Sequence, residues 1–125
     1  MPITEIDIIY DRYGAPVIRL LSNGRLVSFP GKSMGFIHGV NLFNYQGRYV
    51  GWLENGVMRD KNGLCVGLGE NPTDIPHPFF PFKQFKPFRG YLEFEPFRPF
   101  MEFVSFKPFK SFSWSDKDPI SLFFT

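Results

Sequence analysis

The chain has 125 residues, room for one compact domain plus an extended piece, and its 17 Phe and 12 Pro are the compositional outliers. A net charge of +2 is too small to imply a nucleic-acid or membrane partner by itself. A single cysteine, Cys65, excludes an internal disulfide and a cysteine-cluster metal site.

The opening MPITEIDIIYDR lacks a basic region ahead of a long apolar run, so no signal peptide is expected. No stretch approaches the roughly 20 apolar residues that span a bilayer as a helix. A cytoplasmic location is the default expectation, with export routes that use no signal left open.

Residues 1–71 repeat themselves around Gly14, Gly31, Gly47 and Gly63, anchors separated by 17, 16 and 16 residues. Val17, Met34, Val50 and Val66 each follow their anchor by three, and a second glycine comes next at Gly35, Gly51 and Gly67. Phe36, Trp52 and Leu68 follow those glycines, while the first repeat departs with Ile18 and Arg19. Each unit reads as two short β-runs joined at its central glycine. Further turns at Asn23–Gly24, Gly39 and Asn55–Gly56 link the units, Asn-Gly being a signal for a type I′ hairpin whose two central residues need positive φ. Val50 and Trp52 lie two apart and are expected on one face of a strand. Gly51 between them suits a bend or a close backbone approach. The prediction is an all-β domain of four hairpins, with an ordinary small barrel or roll of eight strands as the alternative.

The runs YDRYG, NGRLVSFPGKSMGFI and LFNYQGRYVGWLENGVMRDKNGLCVGL resemble the 4-fold beta flower family of bacterial proteins. The likeness covers about residues 7–69, and GRYVGWLENGVMRDKNG is its most specific part. The ending SWSDKDPISLFF is similar to the Trp-Ser…Phe-Phe close of some relatives, after a Pro-rich triplet tail. The resemblance implies the four-petalled hairpin fold and carries no activity with it. Phe fills the tail here, where small residues are commoner in the family.

Beyond Asn71–Pro72 the composition turns from Gly-rich to Phe/Pro-rich, which predicts a linker over 72–77, an extended segment over 78–113 and a terminal peptide over 114–125. Phe79, Phe82, Phe85, Phe88, Tyr91, Phe94, Phe97, Phe100, Phe103, Phe106, Phe109 and Phe112 keep an unbroken period of three. An α-helix would spread that beat round its cylinder and a β-strand would alternate it between faces. A 3₁₀-helix keeps it, but long 3₁₀ runs are uncommon and recurring Pro removes their donors. Polyproline II has three residues per turn and holds the beat on one side. The segment therefore reads as a three-sided rod, roughly 110 Å long at about 3.1 Å per residue. One side is aromatic, one is Pro or polar, and one is largely charged.

A lone rod cannot hide its aromatic side, so side-by-side association into a homo-oligomeric bundle or filament is expected, with the aromatics inside. A sticky, disordered low-complexity tail is the competing reading. Collagen packing is excluded because only Gly fits its axis.

Chemistry is sparsely signalled. Gly31-Lys32-Ser33-Met34-Gly35 matches the nucleophile-elbow pattern, but its glycines are the repeat's own turn residues and no α/β surroundings accompany it. The same GKS lacks the upstream glycine of a phosphate loop, since Leu26 stands there. His38, His77 and Cys65 read as a turn histidine, a linker histidine and a core thiol, and Asp11, Asp60 and Asp74 as turn formers. Arg89-Gly90-Tyr91 echoes one strand of an RNA-binding motif without the remainder. Alternating Phe with Lys or Arg could stack bases and neutralise phosphate, so a single-stranded nucleic-acid module is the alternative function. No cofactor, metal site or catalytic residue is expected; the leading expectation is a self-assembling structural protein.

Overall fold

The computed structural model describes residues 2–75, 81–104 and 106–124. Eight antiparallel strands follow one another round a closed barrel. They are β1 (Glu5–Tyr10), β2 (Pro16–Leu21), β3 (Arg25–Ser28), β4 (Ser33–His38), β5 (Asn41–Phe43), β6 (Tyr49–Glu54), β7 (Val57–Asp60) and β8 (Cys65–Leu68). The predicted hairpins are β1–β2, β3–β4, β5–β6 and β7–β8, and closure comes where Tyr10 of β1 pairs with Leu68 of β8.

The hairpin tips share one local design. Asp11, Ser28, Asn44 and Asp60 each accept, on the backbone carbonyl, the N–H of the anchor glycine three residues on, at 3.0–3.1 Å. In three of the tips the side chain also accepts two N–H groups, as when Asn44 Oδ1 takes those of Gln46 and Arg48, both at 3.0 Å. Asp11 and Asp60 do the same at their own tips. The chain then needs a left-handed residue to return, and Gly14, Gly31, Gly47 and Gly63 have φ of 84, 107, 84 and 85°. Asp11 and Asp60 are thus turn formers as expected. Asp74 is not; its carboxylate binds Lys110 and Asn55.

Between hairpins, Asn55–Gly56 forms the expected two-residue turn, with φ of 54 and 75° and Glu54 paired to Val57. Asn23–Gly24 differs. Asn23 is absent from the positive-φ residues and Gly24 N–H reaches back to the Leu21 carbonyl, so Ser22 and Asn23 are the turn centre and Gly24 alone is left-handed.

Val50 and Trp52 do not share a face, contrary to the strand-period expectation. Opposite β6, Leu42 pairs with Gly51 and Phe43 with Tyr49, leaving Val50 as the extra residue of a β-bulge. Val50 points into the barrel with Met34 and Val66, while Trp52 lies outside with Phe36, Phe43 and Tyr49. The same register shift recurs opposite Ser33–Gly35 and Cys65–Gly67. The second glycines allow it: a Cβ on Gly51 would overlap the Arg59 carbonyl, and one on Gly35 the Phe43 carbonyl. Each bulge turns the residue after its glycine outward.

The interior is packed with side chains, as an eight-stranded barrel's width permits. Ile9, Ile18, Leu26, Leu42 and Met58 are among its fully buried members. One end is closed by the chain itself. Ser121–Phe124 forms a 3₁₀ turn whose Leu122 and Phe123 enter the barrel core, and Asn44 Nδ2 donates to the Phe123 carbonyl at 3.4 Å. A parallel bridge just before it, Cys65 with Trp114, aligns this plug on β8.

Candidate functional site: an aromatic girdle

The triplet segment does not leave the barrel as a free rod. It runs round the outside from hairpin to hairpin as a strap. The N–H groups of Gln84, Glu93, Glu102 and Ser111 donate to the carbonyls of Gly14, Gly31, Gly47 and Gly63, at 2.9, 3.0, 2.8 and 3.0 Å. Every third triplet therefore meets the next anchor glycine. The strap lies so close that a Cβ on any of the four anchors would collide with a strap carbonyl, belonging to Phe82, Tyr91, Phe100 and Phe109 in turn. The anchors serve the turn and the strap together.

The side chain at each docking position suits the residue two beyond the anchor. Glu93 accepts the Ser33 N–H at 2.6 Å and Glu102 the Tyr49 N–H at 2.7 Å. At the first hairpin that residue is Pro16, which has no N–H, and the strap there carries Gln84, donating instead to the Tyr13 carbonyl at 3.0 Å. At the fourth, the Cys65 N–H is taken by the Ser113 carbonyl at 2.9 Å, and Ser111 is short enough to permit it. Two buried arginines reach out from the strands to strap carbonyls: Arg25 to Glu93 and Arg59 to Ser111.

The charged side of the strap faces the barrel. Arg89 lies over the Phe29 ring, Arg98 over Phe36 and Lys107 over Trp52, 5.2–5.7 Å from the centroids. Phe36 and Trp52 are rings that the bulges turned outward, Phe29 lies in a separate buried cluster with Ile8 and Tyr10, and cations above ring faces are favourable partners for all three. Lys83 and Lys86 pair with Glu70, Arg89 with Glu5 and Arg98 with Glu95. Lys110 pairs with Glu54 and, at 2.7 Å, with Asp74 at the strap's own approach, so the ends of the girdle are tied together.

These contacts shift the acids. The bidentate Arg89 guanidinium, helped by Arg19, holds the Glu5 carboxyl below the ordinary range against a burial penalty. Burial alone would raise Glu70, Asp74 and Glu95, but Tyr10 with Lys83 and Lys86, Lys110 with Asn55, and Arg98 with Tyr45 bring all three below it. Burial pushes the Cys65 thiol up, and its Sγ lies against the Ser111 carbonyl and Arg59.

With the charges turned inward, the aromatics point out. Ten in unbroken sequence, from Phe82 to Phe109, are each at least 92% exposed, and Phe112 is 57% exposed where the strap turns toward the plug. Phe79 and His77 lie outside the described residues. His38 is exposed at the end of β4, and Ser33 of the elbow-like motif accepts, on its Oγ, hydrogen bonds from the Arg25 guanidinium. Among the described residues no His, Cys, Asp and Glu gather in a group that could hold a metal ion, and no helix is long and apolar enough to cross a membrane.

Sequence reading placed the aromatic beat but missed the docking residues Gln84, Glu93, Glu102 and Ser111 and the plug residues Leu122 and Phe123. A signal existed. Gln/Glu-Phe recurs every nine residues at 84, 93 and 102, with Arg or Lys five places on at 89, 98 and 107. That longer period is three triplets, one for each step between hairpins.

A four-hairpin barrel with a strap and a plug drawn from the same chain defines an all-β, self-girdled protein. The family model described as 4-fold beta flower protein matches residues 7–124, and the chain belongs to that family. The match takes in strap and plug as well as the hairpins. No curated protein and no solved structure matches the chain.

Proposed function

We propose that this is a structural protein that self-associates through the girdle, with the strap in a polyproline II-like, three-residues-per-turn conformation and the barrel as its rigid head. The observation that carries the reading is the row of ten fully exposed aromatics. Exposed apolar surface on that scale marks an interaction site, and burying each ring would contribute about 1.5–3 kcal/mol.

Intramolecular docking removes the main obstacle. A free tail would lose about 1–2 kcal/mol per residue on ordering its backbone. Here hydrogen bonds to four hairpins already order it, so association has only side chains left to fix. The nucleic-acid alternative fits less well, because the six strap cations are already engaged by carboxylates (Glu5, Glu54, Glu70, Asp74 and Glu95), by Asn41 or by ring faces.

Sedimentation velocity over a concentration series tests the reading. The full chain should sediment as multimers, and replacing Phe94, Phe97 and Phe100 by Ser should shrink them without altering the far-UV spectrum. A full chain that stays monomeric at all concentrations overturns it.

A further inference from the structure

Resting on the self-association reading, we propose that two girdles join as interdigitating combs, the aromatics of one copy entering the gaps between aromatics of a second copy. At three residues per turn and about 3.1 Å per residue, consecutive strap aromatics stand about 9.3 Å apart. A ring entering midway lies about 4.7 Å from each neighbour, within the 4.5–7 Å that aromatic pairs prefer. The gap admits one ring and not two.

The surface already carries such a gap. Phe97 and Phe100 flank a mainly apolar notch open to solvent, lined also by Arg98, Pro99 and Met101. Arg98 is no obstacle, since its guanidinium is held by Glu95 and the Asn23 carbonyl. A second copy is the fitting occupant because it brings the same ring spacing with its charges already turned inward.

The valence follows from the docking pattern. Residues 84–92, 93–101 and 102–110 form three arcs between successive hairpins, each bearing three aromatics. Six interleaved rings, three from each copy, would bury about 900–1,500 Å², which overlaps the range of specific interfaces. One arc is therefore enough for one contact. Three arcs on one molecule make the assembly grow beyond a dimer.

The experiment compares the full chain with two variants of the middle arc, by sedimentation velocity and electron microscopy. In one variant Phe94, Phe97 and Phe100 become Ser; in the other, each becomes Leu, which keeps apolar bulk and removes flat rings. The expected result is assemblies larger than dimers for the full chain, smaller ones for the Ser variant, and at least tenfold weaker association for the Leu variant. If the Leu variant assembles like the parent while the Ser variant does not, interdigitation is overturned and generic apolar association stands. If the Ser variant assembles normally, or the parent is monomeric, both readings fall. In the monomeric case, flotation with phosphatidylcholine vesicles would reassign the girdle to lipid.

Discussion

Gly90 of the strap lies against Pro30 of the β3–β4 tip, so closely that a Cβ on Gly90 would overlap the Pro30 carbonyl. Its N–H donates to the neighbouring Phe29 carbonyl at 2.7 Å. The corresponding strap positions nine residues either side are Pro81 and Pro99, and Pro108 follows. Proline there would have no N–H for Phe29 and no space beside Pro30. Gln84 and Gly90, each a break in the strap's nine-residue pattern, thus answer the two prolines in the hairpins they meet, Pro16 and Pro30.

Glycine substitutions should separate the turn from the strap. Gly39 and Gly31 both have positive φ, 64 and 107°, but a Cβ on Gly39 meets nothing within 4 Å while one on Gly31 overlaps the Tyr91 carbonyl. Gly39→Ala should cost about 1–2 kcal/mol, the strain of a left-handed alanine. Gly31→Ala should cost several kcal/mol, since the strap must lift as well. Urea unfolding of the two variants measures the difference, and equal losses would mean that the strap contributes nothing there.

Charge matching at the docking points should be polar in both senses. Glu102→Ala leaves the N–H of the buried Tyr49 unpaired and should destabilise by about 1–3 kcal/mol. Glu102→Gln keeps an acceptor and should cost about 1 kcal/mol or less. Gln84→Glu should also destabilise, because a carboxylate would face the Tyr13 carbonyl with no N–H on Pro16 to accept. Denaturant midpoints of the three variants check the order.

The plug should be as important as any barrel residue. Phe123 is 2% exposed in the core, whereas its neighbour Phe124 is 73% exposed. Phe123→Ala should lower stability by about 3–5 kcal/mol and Phe124→Ala by no more than about 0.5. Thermal melts compare them directly.

Acid should loosen the girdle. Glu5, Glu70, Asp74 and Glu95 all have folded values below their ordinary 4.5 or 3.8. Protons then bind the unfolded chain more readily, so the stabilisation is complete above those ordinary values. It is lost as pH falls through the lowered folded ones. Stability from these pairs should be flat between about pH 7 and 5 and decline below about 4.5, read from urea midpoints against pH.

Much of the fold was legible because it is local. Tip residues such as Asn44 and Asp60 make their turns from neighbours within four positions, and the anchor glycines announce the left-handed steps. The outward turn of Trp52 was not, because strand period alone predicts the face and the bulge at Val50 is set by register against β5. Asp74 was misread as a turn former for a related reason: its partner Lys110 is 36 residues away.

By itself the sequence determined the four hairpins, the period-three segment and the single-sided placement of its aromatics, since each depends on spacing along the backbone. Only the tertiary structure decided which way that side faces. From spacing alone the segment reads as a rod separate from the hairpin domain. Instead the barrel offers N–H groups, carbonyls, acids and ring faces that satisfy the strap's polar and charged sides, at Ser33, Gly47, Glu5 and Trp52 among others. Buried polar groups must find partners, and the barrel supplies them, so the rings are left on the outside.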